Sequence, residues 1–117
     1  NAIYQLSKLN ESEYEDFLNW LNDFEHNKLG IPRADYVVYL DMPTEVSQKL
    51  MSKRYKGDEG KKDIHEKNED FLKKCRMASS YCAKALNWDV VLCAENGEPK
   101  TIEEIANEVY SKVEGKI

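Results

Sequence analysis

From Tyr36 to Leu40 the chain reads Tyr-Val-Val-Tyr-Leu, apolar at every position rather than at every second one. A strand with one wet face alternates, so a run apolar in both phases predicts an interior strand, covered on both sides as in a parallel sheet. It ends at Asp41-Met42-Pro43. Trp88–Cys93 (WDVVLC) repeats the pattern and predicts a second strand. Elsewhere apolar residues recur at three and four, the spacing of one helix face. Tyr14, Phe17, Leu18, Leu21 and Phe24 predict a helix opened by a capping box at Ser12-Glu13-Tyr14-Glu15 and stopped by Gly30 and Pro32. Thr44 to about Lys53 carries Val46, Leu50 and Met51. Glu66 to Leu86 predicts the longest helix, with Phe71, Leu72, Cys75, Ala78, Ser79, Cys82 and Leu86 on its apolar side. Lys67, Glu69, Asp70, Lys73, Lys74 and Arg76 form its solvated face. Thr101-Ile102-Glu103-Glu104 is a second capping box, opening a last helix with Ile102, Ile105, Val109 and Val113 as its stripe before Gly115. At the other end, Asn1–Leu9 is short and mixed, with Ile3, Tyr4 and Leu6 available to a first helical turn.

Helix, strand, helix, charged segment, helix, strand, helix is the alternation of an α/β fold with a parallel sheet. Two strands are fewer than the five or six typical of a sheet, and both predicted strands need neighbours. The expectation is therefore a partial parallel sheet flanked by helices, residues 1–117 being one portion of a larger domain. No G-x-x-x-x-G-K-[ST], G-x-G-x-x-G or G-x-S-x-G occurs in the sequence.

The 117 residues, 41% apolar and 33% charged, suit one modest core. No run approaches the roughly 20 apolar residues of a membrane span, and no leader pattern opens the chain, which predicts a cytoplasmic protein with no membrane partner. Cys75, Cys82 and Cys93 are odd in number and lack CxxC spacing, which fits neither a disulfide framework nor a zinc site. Small core residues are the expectation for them. His26, near a helix end, reads as a capping or surface histidine.

The net charge is -5, yet Lys49, Lys53, Arg54, Lys56, Lys61 and Lys62 crowd into one short stretch. A basic island on an acidic chain points to local phosphate rather than a nucleic-acid face; its bland alternative is a solvated loop. Tyr55–Asp63, with Gly57 and Gly60 and no apolar residue after its opening tyrosine, reads as a charged flap. Open α/β sheets place ligands beyond the carboxyl ends of their strands, so the chemistry is expected just past Asp41.

The ordered set YLDMPTEVSQKL, Lys53-Arg54, the flap, Asp63-Ile64-His65-Glu66 through Phe71-Leu72, and NWDVVLC followed by TIEEI resembles thymidylate kinase, a P-loop nucleoside monophosphate kinase family. Asn1-Ala2-Ile3-Tyr4-Gln5 is similar to the family's segment after its Asp-Arg motif. The resemblance covers almost the whole chain. It implies the carboxyl-terminal part of a three-layer P-loop fold, with the P-loop before residue 1 and a lid at about 54–65. It also implies transfer of the ATP γ-phosphoryl group to dTMP, with Mg²⁺ bridging the phosphates. Such transfer needs positioning and charge neutralisation more than covalent help.

By the same resemblance Arg54 would be the catalytic residue of the flap, with Lys53, Lys56, Lys61 and Lys62 beside it on ATP or phosphate. Planar, permanently charged guanidinium suits that role better than ammonium. Asn1, Tyr4, Gln5, His65 and Glu66 would bind dTMP, Asn1 at the thymine edge and Tyr4 against the sugar, where it disfavours a ribose hydroxyl. His65 stands where the family commonly has tyrosine. Glu66 is also the magnesium candidate, and Ala94, Glu95 and Asn96 fall in a polar loop, 94–100, that resembles the adenine-contacting one. Partners implied are ATP, dTMP, the amino-terminal half and a possible homodimer, with no nucleic acid. A non-catalytic interaction module on the same scaffold, or a monophosphate kinase of another base preference, are the alternatives. Finally, the chain alone is expected to lack kinase activity and to depend on the amino-terminal half for a stable fold.

Overall fold

The computed structural model describes residues 1–54 and 69–116, with only the backbone of Arg54 and Glu69. The first helix, α1 (Ala2–Leu6), is five residues long. Helices that short do not persist on propensity, and this one is held by packing. Leu6 is 0% exposed, inside a cluster with Tyr14, Leu18, Ala78 and Cys82.

A 3₁₀ turn (Glu11–Glu13) leads into α2 (Tyr14–Asn22). The capping pair lies two residues before the expected Ser12–Glu15. The Asn10 amide donates to the Glu13 carboxylate at 3.0 Å, because Asn10 holds the extended conformation of a cap residue (φ -77, ψ 150) and sits three residues before a glutamate. Tyr14, Leu18 and Leu21 are buried as the stripe predicts. Phe24 is exposed and stacks on Trp20, ring centroids 5.2 Å apart. It leaves the stripe because the helix widens into a π-helical stretch, Asp23–Lys28, where the Leu29 amide reaches back five residues to Phe24 O. The helix stops at Gly30, whose φ of +73 suits glycine. His26 does act on a carbonyl, but on a downstream one: Nδ1 donates to Ile31 O at 2.8 Å.

Strand β1 (Val38–Asp41) is followed by α3 (Thr44–Arg54), and α4 (Glu69–Ala85) leads to β2 (Asp89–Leu92). The strands pair in parallel, Val38 opposite Asp89 through Asp41 opposite Leu92. The Asp89 amide to Val37 O (2.9 Å) and the Cys93 amide to Asp41 O (2.8 Å) extend the ladder at both ends. Tyr39 and Asp41 both meet α4, through Ser79 and Arg76. Asp89, in the other phase, meets Lys112 of the last helix, α5 (Ile102–Glu114). Since side chains alternate along a strand, α4 and α5 lie on opposite faces. The result is an α/β arrangement, a two-stranded parallel sheet flanked by helices.

Three expectations need correction. The strands are not covered throughout: Leu40 is 51% and Leu92 56% exposed, because among the described residues each strand has one neighbour and one helix on each face. The stripe of α5 starts one turn late, with Ile102 89% exposed beyond the reach of β2, while Ile105, Val109 and Val113 are half-buried. Burial on α4 is confined to its middle, so Ala78, Ser79, Cys82 and Ala83 are inside, whereas Phe71 and Leu86 near the ends are exposed. The cap of α5 is as predicted, Thr101 Oγ1 accepting from the Glu104 amide at 3.1 Å.

The polar stretch after β2 is a hairpin rather than a loop. Two short strands, β3 (Ala94–Glu95) and β4 (Glu98–Pro99), pair antiparallel around Asn96 and Gly97, whose φ angles are 54 and 78. Asn-Gly supplies both left-handed positions that such a two-residue turn requires. No helix among the described residues is long and apolar enough to cross a membrane.

Candidate functional site

Parallel pairing sends both strands out at one edge of the sheet, and what leaves there is set by the next few residues. After Asp41 the chain turns through Met42-Pro43 into α3, so the amino end of that helix stands at this edge. After Leu92 comes the hairpin, tied to Asp41 by the Cys93 amide. Ligands of open α/β sheets bind at such an edge.

An open cavity of about 300 Å³ lies there, its lining including Asn1, Tyr4, Tyr39, Thr44, Ser47 and Arg76. That volume is at the lower end for small-molecule sites. Its floor is rigid for a stated reason. The Tyr39 hydroxyl donates to Ser79 Oγ at 2.6 Å, and Ser79 donates to Arg76 O at 2.8 Å, pinning β1 to α4. Arg76 Nε stands 3.5 Å from Asp41 Oδ1, a long single contact at the strand's end.

Of the residues expected to bind dTMP, Asn1 and Tyr4 line this cavity together. The Asn1 side-chain amide already donates to Glu25 Oε1 at 3.0 Å, which leaves its carbonyl oxygen and its second N–H able to meet a ligand. Tyr4 is 62% exposed. Gln5 does not line it; with Asn1 it lines a neighbouring cavity beside Phe17, Trp20 and Phe24, since the successive residues Tyr4 and Gln5 do not share a helix face. Lys53 is exposed near the end of α3, away from the lining. Ala94, Glu95 and Asn96 stand at the same sheet edge in the hairpin, Glu95 and Asn96 exposed. The Arg54 side chain and Lys56, Lys61, Lys62, His65 and Glu66 lie outside the described residues, as does nearly all of the expected lid.

Two lining residues were not anticipated. Arg76 had been placed on the solvated face of its helix and is instead drawn to Asp41, 35 positions away. Thr44, 8% exposed, is nearly enclosed at the start of α3. The available signal was the aspartate ending an apolar strand, a buried-edge carboxylate that calls for a cation.

A larger groove of about 700 Å³ runs between α4 and β2, past Tyr36, Tyr39, Trp88 and Asp89. Its acidic groups are already engaged. Lys112 Nζ is 2.8 Å from Asp89 Oδ1, and the Tyr36 hydroxyl donates to the other carboxylate oxygen. These bonds, Lys112 first, hold Asp89 below the usual carboxylate range, while the bond to Asp89 raises both Lys112 and Tyr36. This cluster ties β2 to α5 and to Tyr36, two residues before β1, a structural task.

The cysteines are core residues in two cases of three: Cys82 and Cys93 are buried and Cys75 is half-buried, all free. Burial pushes the thiols of Cys82 and Cys93 up. Among the described residues no group of three His, Cys, Asp or Glu side chains is placed to hold a metal ion. Comparison with protein-family models found no match to this chain, and comparisons with curated proteins and with solved structures found none either.

Proposed function

We propose that this chain is part of a thymidylate kinase of the P-loop nucleoside monophosphate kinase family, with dTMP bound in the cavity at the carboxyl edge of β1. The observation that carries the reading is that Asn1, the cap residue of α1, and Tyr4 within that helix line the cavity together with Arg76 and the amino end of α3. An amide, an aromatic ring, a guanidinium and a helix terminus are the groups a nucleoside monophosphate calls for. The Asn1 carbonyl oxygen would accept from the base, Tyr4 would fill the space beside C2′ of the sugar, and the cationic end would take the phosphate.

Phosphoryl transfer is accelerated by alignment and by neutralising charge spread over the transferring group. Arg54, with Lys53, Lys56, Lys61 and Lys62, would supply that charge, and Ala94–Asn96 would border the adenine. Glu66 would stand near magnesium, which enters with ATP as co-substrate and bridges its phosphates.

A P-loop is not among the 117 residues, so the test uses the product of the complete gene. It is assayed for ADP release with ATP and a panel of nucleoside monophosphates. Turnover selective for dTMP supports the reading, and turnover selective for another monophosphate replaces its base preference. No release overturns it in favour of a non-catalytic module, and release independent of any monophosphate overturns it in favour of plain ATP hydrolysis.

A further inference from the structure

The cavity holds more hydrogen-bond donors than its own structure uses, and they converge from two elements. Arg76 spends only Nε, on Asp41 at 3.5 Å, and among the described residues nothing takes its terminal nitrogens. A guanidinium carries five N–H donors in a planar fork, so four remain. The pair it forms with Asp41 balances one charge and leaves those donors uncommitted.

The start of α3 contributes to the same lining as Arg76. The first bond of this helix is the Ser47 amide to Pro43 O, so the amides of Thr44, Glu45 and Val46 have no acceptor within it. Such amides are normally capped by a side-chain oxygen one residue earlier, and proline at 43 has none. Thr44 is 8% exposed, yet its hydroxyl makes no hydrogen bond among the described residues. No polar side-chain atom among them is sealed off without a partner, so this hydroxyl reaches open space, and the space Thr44 borders is the cavity. Ser47, one turn on, adds a second unused hydroxyl to the same wall. Glu45, the one acidic residue of this first turn, is exposed and does not line the cavity.

A guanidinium fork with uncommitted donors, an unpaired hydroxyl open to the cavity and uncapped helix amides are complementary to a tetrahedral oxyanion. We infer that Arg76 and Thr44, with the amino end of α3, bind the phosphate monoester of the nucleotide in this cavity. The inference rests on the nucleotide reading above and adds to it the residues that tell a nucleotide from a nucleoside. Asp41 is the positioning residue that holds Arg76 for the task.

The test is calorimetric titration of the complete gene product with dTMP and, separately, with thymidine, for the unaltered protein and for Arg76→Gln and Thr44→Val. The unaltered protein is expected to bind dTMP more tightly than thymidine. Arg76→Gln should weaken dTMP by about tenfold or more and leave thymidine within about twofold, since a charge-assisted bond to the phosphate alone is lost. Thr44→Val, nearly isosteric and remote from the Asp41 contact, should weaken dTMP several-fold with the same selectivity. If Arg76→Gln fails to fold, Thr44→Val decides alone. Unchanged dTMP affinity in the folded variants, or thymidine falling in step with dTMP, overturns the inference while the nucleotide reading stands. Binding of neither ligand by the unaltered protein overturns both.

Discussion

The Tyr39 hydroxyl donates to Ser79 Oγ at 2.6 Å, and that serine, 2% exposed, donates in turn to Arg76 O at 2.8 Å. The relay couples the middle of β1 to the turn of α4 that presents Arg76. A single neutral hydrogen bond contributes about 1 kcal/mol net. Tyr39→Phe keeps the ring, its tilted contact with Trp88 and the serine's bond to the carbonyl, so it is expected to lower unfolding stability by about that much. Urea unfolding at constant m-value measures it. A variant as stable as the parent would mean that water replaces the tyrosine hydroxyl at Ser79 without loss.

The Asp89 cluster sets a pH window. The folded-state carboxyl lies below its unfolded value, so its contribution is present above the unfolded pKa and is lost as pH falls through the folded one. Lys112 and Tyr36 are shifted upward, so their contributions are complete below their unfolded pKa values and vanish as pH rises through the folded ones. Stability should therefore have a plateau from mildly acidic to mildly alkaline pH with a fall on each side. Asp89→Asn should flatten the acid limb and weaken the alkaline one, read as Tm against pH. Parallel curves for parent and variant would refute this.

Thiol reactivity should separate the three cysteines. The thiolate is the nucleophile, and burial both hinders access and raises the pKa of Cys82 and Cys93. Iodoacetamide at mildly alkaline pH, followed by peptide mass spectrometry, is expected to modify Cys75 first and the other two only as urea unfolds the chain. Early modification of Cys82 would place it outside the core described for it.

What the sequence made legible followed the range of the interactions involved. Helix α3 and the Thr101 cap depend on neighbours within four residues, and both stand where the pattern put them. The strand pairing followed from two runs too apolar for anything but a sheet interior, though their exposed Leu40 and Leu92 did not. Asn96-Gly97 was a local signal overlooked inside a stretch that reads as polar loop. Arg76 was a different failure. Periodicity tells which face of a helix a cation occupies, but its partner Asp41 is on another element, and only the fold brings them together. Leu6 shows the same limit, since five residues of mixed sequence become helix only because the core encloses that leucine.

Tyr4 offers the sharpest separation of function from stability. Its ring is 62% exposed while the same helix buries Leu6 completely, so Tyr4→Ala removes little from the core. Surface substitutions of this kind usually stay within about 0.5 kcal/mol. In the proposed site the ring occupies the volume a 2′-hydroxyl would need, and exclusion of one hydroxyl by packing is worth about 1–3 kcal/mol. Tyr4→Ala in the complete protein is therefore expected to keep the parent's Tm and to narrow the preference for dTMP over its ribo counterpart by about 5- to 150-fold. Competition between the two nucleotides, read as the ratio of kcat/KM values, measures the change. A Tm within a degree of the parent together with an unchanged ratio would remove Tyr4 from the sugar, because the cavity would then have lost a wall without admitting anything new.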